Sequence, residues 1–165
     1  MPQGLEVRVL SRAQNFKINF MAKVRKLEPT DLAQIVKIAK VSFPKNRLLA
    51  KDFEKYFKDY PDGFLVSEEM DEIIGFAVGQ FKNQVSEVTS VAVSPLFRQK
   101  GIGTELVNSL TQYFKNTGFK ELFLHVRTDN NTAISFFQGL DFRIINTIKK
   151  YYRNKDDAFL MGKAI

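Results

Sequence analysis

The sequence predicts an α/β (α+β) fold: a mixed central sheet of about six or seven strands with helices on both faces. Three observations carry this. Strand-like runs alternate with helical periodicities along the chain, which is the pattern of a sheet covered by helices. An apolar share of 44% with sixteen phenylalanines supplies a large core. A length of 165 residues suits one domain, and the chain shows no repeat and no low-complexity linker.

The elements follow in order. Residues 1–21 lack sustained periodicity and are read as an N-terminal extension: an added strand, a flexible arm, or the product of an upstream start codon. Residues 22–165 are read as one domain. Val24 to Leu27 reads as a short strand. Thr30 is placed to cap a helix, with Asp31 in its first turn where negative charge suits the dipole. Leu32, Ile35, Val36, Ala39 and Phe43 keep helical spacing until Pro44. Phe53, Tyr56 and Phe57 mark a second helix, ended by Pro61-Asp62-Gly63. Strands follow at Phe64–Ser67, Ile73–Phe81 and Glu87–Val93. A helix over Gly101–Asn116 puts Leu106, Val107, Leu110, Tyr113 and Phe114 on one face. Leu122–Val126 is a buried strand, and Asn130 or Asn131 caps a short helix through Phe137. Phe142–Ile148 and Ala158–Met161 close the pattern as strands.

Composition removes several chemistries. Without cysteine there is no disulfide, no iron–sulfur ligation and no thiol nucleophile. One histidine and no cysteine leave a structural zinc site without ligands, so no metal is expected. No Gly-x-Ser-x-Gly elbow partners His125. The longest apolar runs, such as Ile73–Val78, are far short of a membrane span. Glu6, Arg8, Arg12 and Lys17 interrupt any apolar leader. A cytoplasmic protein with no membrane partner is the expectation. The formal charge of +7 favours an anionic partner, but no block of five like charges marks a nucleic-acid tail, and no direct nucleic-acid binding is expected.

The most informative stretch is Val91-Ala92-Val93-Ser94-Pro95-Leu96-Phe97-Arg98-Gln99-Lys100-Gly101-Ile102-Gly103-Thr104. It reads as strand, loop, glycine pair and amphipathic helix. Glycines at a helix N-terminus let backbone N–H groups approach an anion, and the dipole favours negative charge there. Arg98 and Lys100 add full charges, and Arg forks onto phosphate oxygens. The spacing of a Walker loop is absent, and no third glycine completes a dinucleotide fingerprint.

The remaining pattern, Arg98-Gln99-Lys100-Gly101-Ile102-Gly103, resembles the GNAT superfamily of acetyl-CoA-dependent N-acyltransferases, over about residues 22–163. Within it the chain resembles the protein N-terminal acetyltransferases, including ribosomal-protein acetylases, through Ala39-Lys40-Val41-Ser42-Phe43-Pro44, Leu124-His125-Val126-Arg127, Asn130 to Phe137, Lys149-Lys150-Tyr151-Tyr152 and Asp157 to Met161. The resemblance implies a GNAT-type sheet with acetyl-CoA in a wedge between the Glu87–Val93 and Leu122–Val126 strands. Val91, Ala92 and Val93 would line the pantetheine arm, with main-chain groups of Val91 and Val93 bonding it. Amides from Gln99 through Ile102 and Gly103 to Thr104 would take the pyrophosphate. Asn130 falls on the asparagine that contacts the cofactor's arm; a simple helix cap is the alternative reading, is compatible with that contact, and is the less favoured of the two. Glu87 and His125 are the implied bases. Phe43, Pro44, Tyr151 and Tyr152 would wall the acceptor entrance.

Two departures stand out. Phe137 occupies a cofactor-side position where many members carry a tyrosine that protonates the departing thiolate. Asp141 precedes Phe142 where the family usually has glycine. The implied reaction moves an acetyl group to a primary amine by direct attack in a ternary complex. The expected acceptor is the N-terminal α-amine of a protein or peptide. A small amine or polyamine, a lysine side chain, or a non-catalytic CoA-binding module are the alternatives. The expected state is monomer or homodimer.

Overall fold

The computed structural model describes residues 22–45 and 49–165; the extension read over 1–21 lies outside the described residues. The order is β1 (Lys23–Lys26), α1 (Leu32–Ser42), α2 (Ala50–Asp59), β2 (Phe64–Glu69), β3 (Glu72–Lys82), β4 (Val85–Val93), α3 (Ile102–Asn116), β5 (Glu121–Arg127), α4 (Asn131–Gln138), β6 (Arg143–Ile148) and β7 (Ala158–Ala164). One sheet holds all seven strands in the order β1-β2-β3-β4-β5-β7-β6. Every pairing is antiparallel except β4 with β5, which is parallel.

Each element has a local cause. Asp31 does not lie in the first turn of α1. Pro29 to Asp31 form a 3-10 turn, and the Asp31 carboxylate accepts the Glu28 N–H at 2.8 Å. Pro29 favours that tight turn because its fixed φ suits a helical start and it needs no N–H partner. Arg25 forks onto Asp31 and reaches Glu68, which ties β1 and β2 to the start of α1. The β2–β3 and β3–β4 hairpins turn on Met70-Asp71 and Asn83-Gln84, with positive φ at both central residues of each. That is the turn whose twist matches paired strands. Asp141 also takes a positive φ, 68°. Its short polar side chain tolerates the left-handed region, so the bend survives without glycine.

Two cores clasp the sheet. On one face α3 and α4 bury Leu106, Leu110, Phe114 and Phe137 against Leu122, Leu124 and Met161. On the other, α1 and α2 bury Ile35 and Phe53 against Phe64, Val66 and Phe76. β3 is buried on both faces from Ile73 to Gly79, which is why its sequence shows an unbroken apolar run rather than alternation.

The feature that makes a site is a split in the sheet. β4 and β5 pair at Glu87–Phe123 and Val88–Leu124, yet β4 runs on to Val93 and β5 to Arg127. A bulge explains the divergence. Val88 opposes Gly79 and Ser90 opposes Val78, so Thr89 is an extra residue in β4. An extra residue bends and twists its strand. Gly79, at this kink, allows Phe114 to press against the sheet: a Cβ built there would lie 2.7 Å from the Phe114 ring and 3.1 Å from Leu110. Gly79→Ala is therefore expected to cost about 1–3 kcal/mol by overpacking a core that cannot yield. A urea titration checks it, and an unchanged midpoint would contradict this packing.

Candidate active site

The split opens into a cavity of about 540 Å³. Its walls come from β4 and β5, from the ends of α1 and α4, from α2, and from the loop between β6 and β7. Of the residues singled out in the sequence, Phe43, Pro44, Glu87, Val91, His125, Asn130, Phe137, Tyr151 and Tyr152 all line it.

Glu87 and His125 stand on adjacent strands, 38 residues apart in the chain, and join directly: His125 Nδ1 lies 2.7 Å from Glu87 Oε1. A carboxylate can only accept, so Nδ1 carries the hydrogen and donates it; in the neutral ring that tautomer leaves the lone pair on Nε2. Gln80 Nε2 donates to the other Glu87 oxygen at 3.4 Å. The Tyr151 ring stacks on the imidazole with centroids 4.4 Å apart and planes 11° apart. Tyr152 stands edge-on to Tyr151 and lies under the Arg127 guanidinium, 3.9 Å away.

Three phenols keep their protons near neutral pH. Burial pushes Tyr152 up to about 12, against the opposing pull of Arg127. Burial, then the charge of Glu87, raises Tyr151. Burial, then Asp52 and Glu87, raises Tyr56. These hydroxyls offer donors at a site where Phe137 has none. Tyr56 was not among the predicted site residues; its spacing in α2 reads only as a helix face. Thr89 and Ser90 were also missed, and both hydroxyls are buried with no protein partner. Nothing in a single sequence marks the bulge that turns them toward the cavity.

Beyond the bulge, the main chain of β4 has two sides. Ser94 N–H donates to Ile74 O at 2.8 Å, toward β3. Alternation then turns the main-chain groups of Val91 and Val93 to the gap. Ala92 instead buries its side chain in the α1–α2 core. Arg98 bridges the mouth of the gap: Nε donates to Val93 O at 2.9 Å and Nη2 to Ser42 Oγ at 3.2 Å. The guanidinium read from sequence as an anion contact here fixes the loop to β4 and α1.

The loop then enters α3 through left-handed backbone at Gln99 (φ 60°) and Gly101 (φ 84°). Glu105 N–H is the donor that reaches Gly101 O, so Ile102, Gly103 and Thr104 point N–H groups out of the helix end. A Cβ on Gly101 would meet nothing within 4 Å. Open space before an amide-lined, positive helix end suits a diphosphate. Asn130 caps α4 by accepting Ala133 N–H at 3.1 Å, and also lines the cavity. Among the described residues no group of three or more acidic or histidine side chains could hold a metal, and no helix is long and apolar enough to cross a membrane.

Comparison with known proteins agrees with this geometry. A model of the acetyltransferase (GNAT) family matches residues 32–142. The chain is 30% identical over 153 residues to an N-alpha-acetyltransferase of Sulfurisphaera tokodaii, covering 85% of this chain and 91% of that one. Ard1 from Thermoplasma volcanium shares the fold with a TM-score of 0.83 at 24% identity, covering 87% of this chain and 97% of its own. Chaetomium thermophilum Naa20, solved with a bisubstrate analogue, gives a TM-score of 0.77 at 26% identity, covering 87% of this chain and 86% of its own. The split sheet, the glycine-led helix end and the matching family model together place this chain in the GNAT acetyltransferase family.

Proposed function

We propose that this acetyltransferase uses acetyl-CoA to acetylate the N-terminal α-amine of a protein or peptide. The observation that carries the reading is the Glu87–His125 hydrogen bond at 2.7 Å, set on the two strands that flank the split. Acetyl-CoA supplies the acetyl thioester. The amides of Ile102, Gly103 and Thr104, with Arg98 and Lys100, would hold its diphosphate. The edges of Val91 and Val93 would take the pantetheine arm as an added strand, and Asn130 and Phe137 would border it.

The protein's task is then to bring a neutral amine to that thioester. His125 Nε2 accepts the ammonium proton, while Glu87 holds the ring in the required tautomer and balances the charge it gains. The chemistry suits an α-amine. Its pKa of about 7.7–8.0 leaves on the order of 10% neutral at pH 7, against less than ~0.1% for a lysine near 10.4. The gap of roughly 2.5 units is worth about 3.4 kcal/mol. Phe43, Pro44, Tyr151 and Tyr152 all line the cavity, which supports their reading as walls of the entrance for a chain end. Relatives of this chain carry the name N-alpha-acetyltransferase, which supports the same acceptor.

The test is a peptide panel incubated with acetyl-CoA, in which each sequence is presented with a free and a blocked N-terminus. Transfer is expected on free N-termini and abolished by blocking. Acetylation confined to internal lysines or to a polyamine would overturn the acceptor while leaving the family intact.

A further inference from the structure

From the β6–β7 loop we infer that Tyr151 is the positioning residue for His125, held in place by a latch that Arg127 closes. The inference rests on the proposed role of the His125 imidazole as base, and it concerns what sets the orientation of that ring.

An imidazole held by one hydrogen bond can still tilt about that bond and turn its second nitrogen away from the reacting amine. Here Glu87 fixes one edge of the ring at 2.7 Å, and Tyr151 covers one face at 4.4 Å and 11°. Two constraints in perpendicular directions leave the plane and the direction of Nε2 determined. Tyr151 is itself 44% exposed, so an acceptor entering the cleft can meet the phenol ring beside the imidazole.

A tyrosine on a loop can do this only if the loop is fixed. The turn from Lys149 to Asp157 ties itself together: Tyr152 N–H donates to Asp156 O at 3.1 Å, Lys155 N–H to Tyr152 O at 2.7 Å, and Lys150 N–H to Asp157 Oδ1 at 2.9 Å. Arg127 then fastens the whole turn to β5. Its guanidinium covers Tyr152, donates to Asn154 Oδ1 at 3.2 Å and pairs with Asp156. Arg127 and His125 are two apart on one strand, so they share a face. The strand that carries the base thus also carries the anchor of the ring that orients it. Titratable or charged groups that line the cavity with the imidazole are Glu87 from β4, Tyr56 from α2, Arg127 from β5, the Lys45–Asp129 pair, and Tyr151 and Tyr152 from the loop.

The chain has a single histidine, so its imidazole proton resonances can be read by NMR on the full protein without assignment. In the wild type the stacked phenol is expected to shift them upfield. Tyr151→Ala, and Asp156→Asn more weakly, should remove that shift. The same variants should lower kcat for a free N-terminal peptide by about 10-fold or more, the scale of a small misplacement of a reacting group, with the KM for acetyl-CoA unchanged. Tyr151→Phe, which keeps the ring, should restore both the resonances and most of kcat. The inference falls if Tyr151→Ala leaves the resonances in place, or if it raises only the KM for peptide, which is what a mere wall of the cleft would do. Should the wild type acetylate no N-terminus, the proposed acceptor fails, and the resonances of Tyr151→Ala still decide whether the ring is positioned.

Discussion

Glu87→Gln and His125→Ala are each expected to lower kcat about 10²-fold at pH 7, and the double variant little further. Two residues sharing one hydrogen bond act as a unit, so their losses do not add. His125→Ala removes the nitrogen that takes the proton. Glu87→Gln presents an amide to Nδ1, which weakens the stabilisation of the charged ring and no longer dictates the tautomer. Neither side chain lies at the helix end that would hold the diphosphate, so CoA affinity should stay at its wild-type value. The loss should also shrink as pH rises. Above the α-amine pKa of about 8 most acceptor is already neutral, and the base has less to do. The phenols do not blur this trend at moderate pH, because burial raises Tyr151 and holds Tyr152 up to about 12. Rates for the four proteins between pH 6 and 9 provide the check. Multiplicative losses would show that the two side chains work separately.

This pairing marks the boundary of what the sequence made legible. Glu87 and His125 were both visible as candidates, each at the position that a family resemblance implies. Their union was not visible, because it depends on the register of a parallel pair that covers Glu87–Phe123 and Val88–Leu124 before the strands part. Nor was the reason for the parting. The extra residue is Thr89, and a threonine in a strand gives no sign that it is a bulge. The seven strands and four helices were legible, since period-two and helical spacing survive in β5 and α3, where alternate or same-face residues are buried. The start of α1 was not: Thr30 reads as its cap with Asp31 in its first turn, whereas Pro29 opens a 3-10 turn through Asp31 and α1 begins at Leu32.

The latch on the β6–β7 loop was invisible for a related reason. Arg127, Asn154 and Asp156 are ordinary polar residues in a charged stretch, and only the return of β7 beside β5 brings them together. Tyr56 shares that fate. Contacts made within an element leave a periodic trace in sequence. Contacts made between elements leave none, and most of this site is of the second kind.

Gly101→Val should weaken CoA binding by about 10-fold or more, close to 1.4 kcal/mol, with the fold intact. Gly101 sits at φ 84° and ψ −2° as the residue before α3. A β-branched side chain resists that region at a cost of roughly 1–2 kcal/mol, and the backbone can escape only by turning the next amides away from a common point. Those amides, on Ile102, Gly103 and Thr104, are the donors that would converge on a diphosphate. Steric blockage is a separate effect, and Gly101→Asn isolates it. Asparagine tolerates the left-handed region and fills much the same open space, where a Cβ meets nothing within 4 Å. Calorimetry should find CoA affinity largely kept in Gly101→Asn and lost in Gly101→Val. Equal losses in both would mean that the space itself is filled by the ligand. Equal, wild-type affinity in both would mean that the diphosphate is held elsewhere, and the role given to the end of α3 would fall with it.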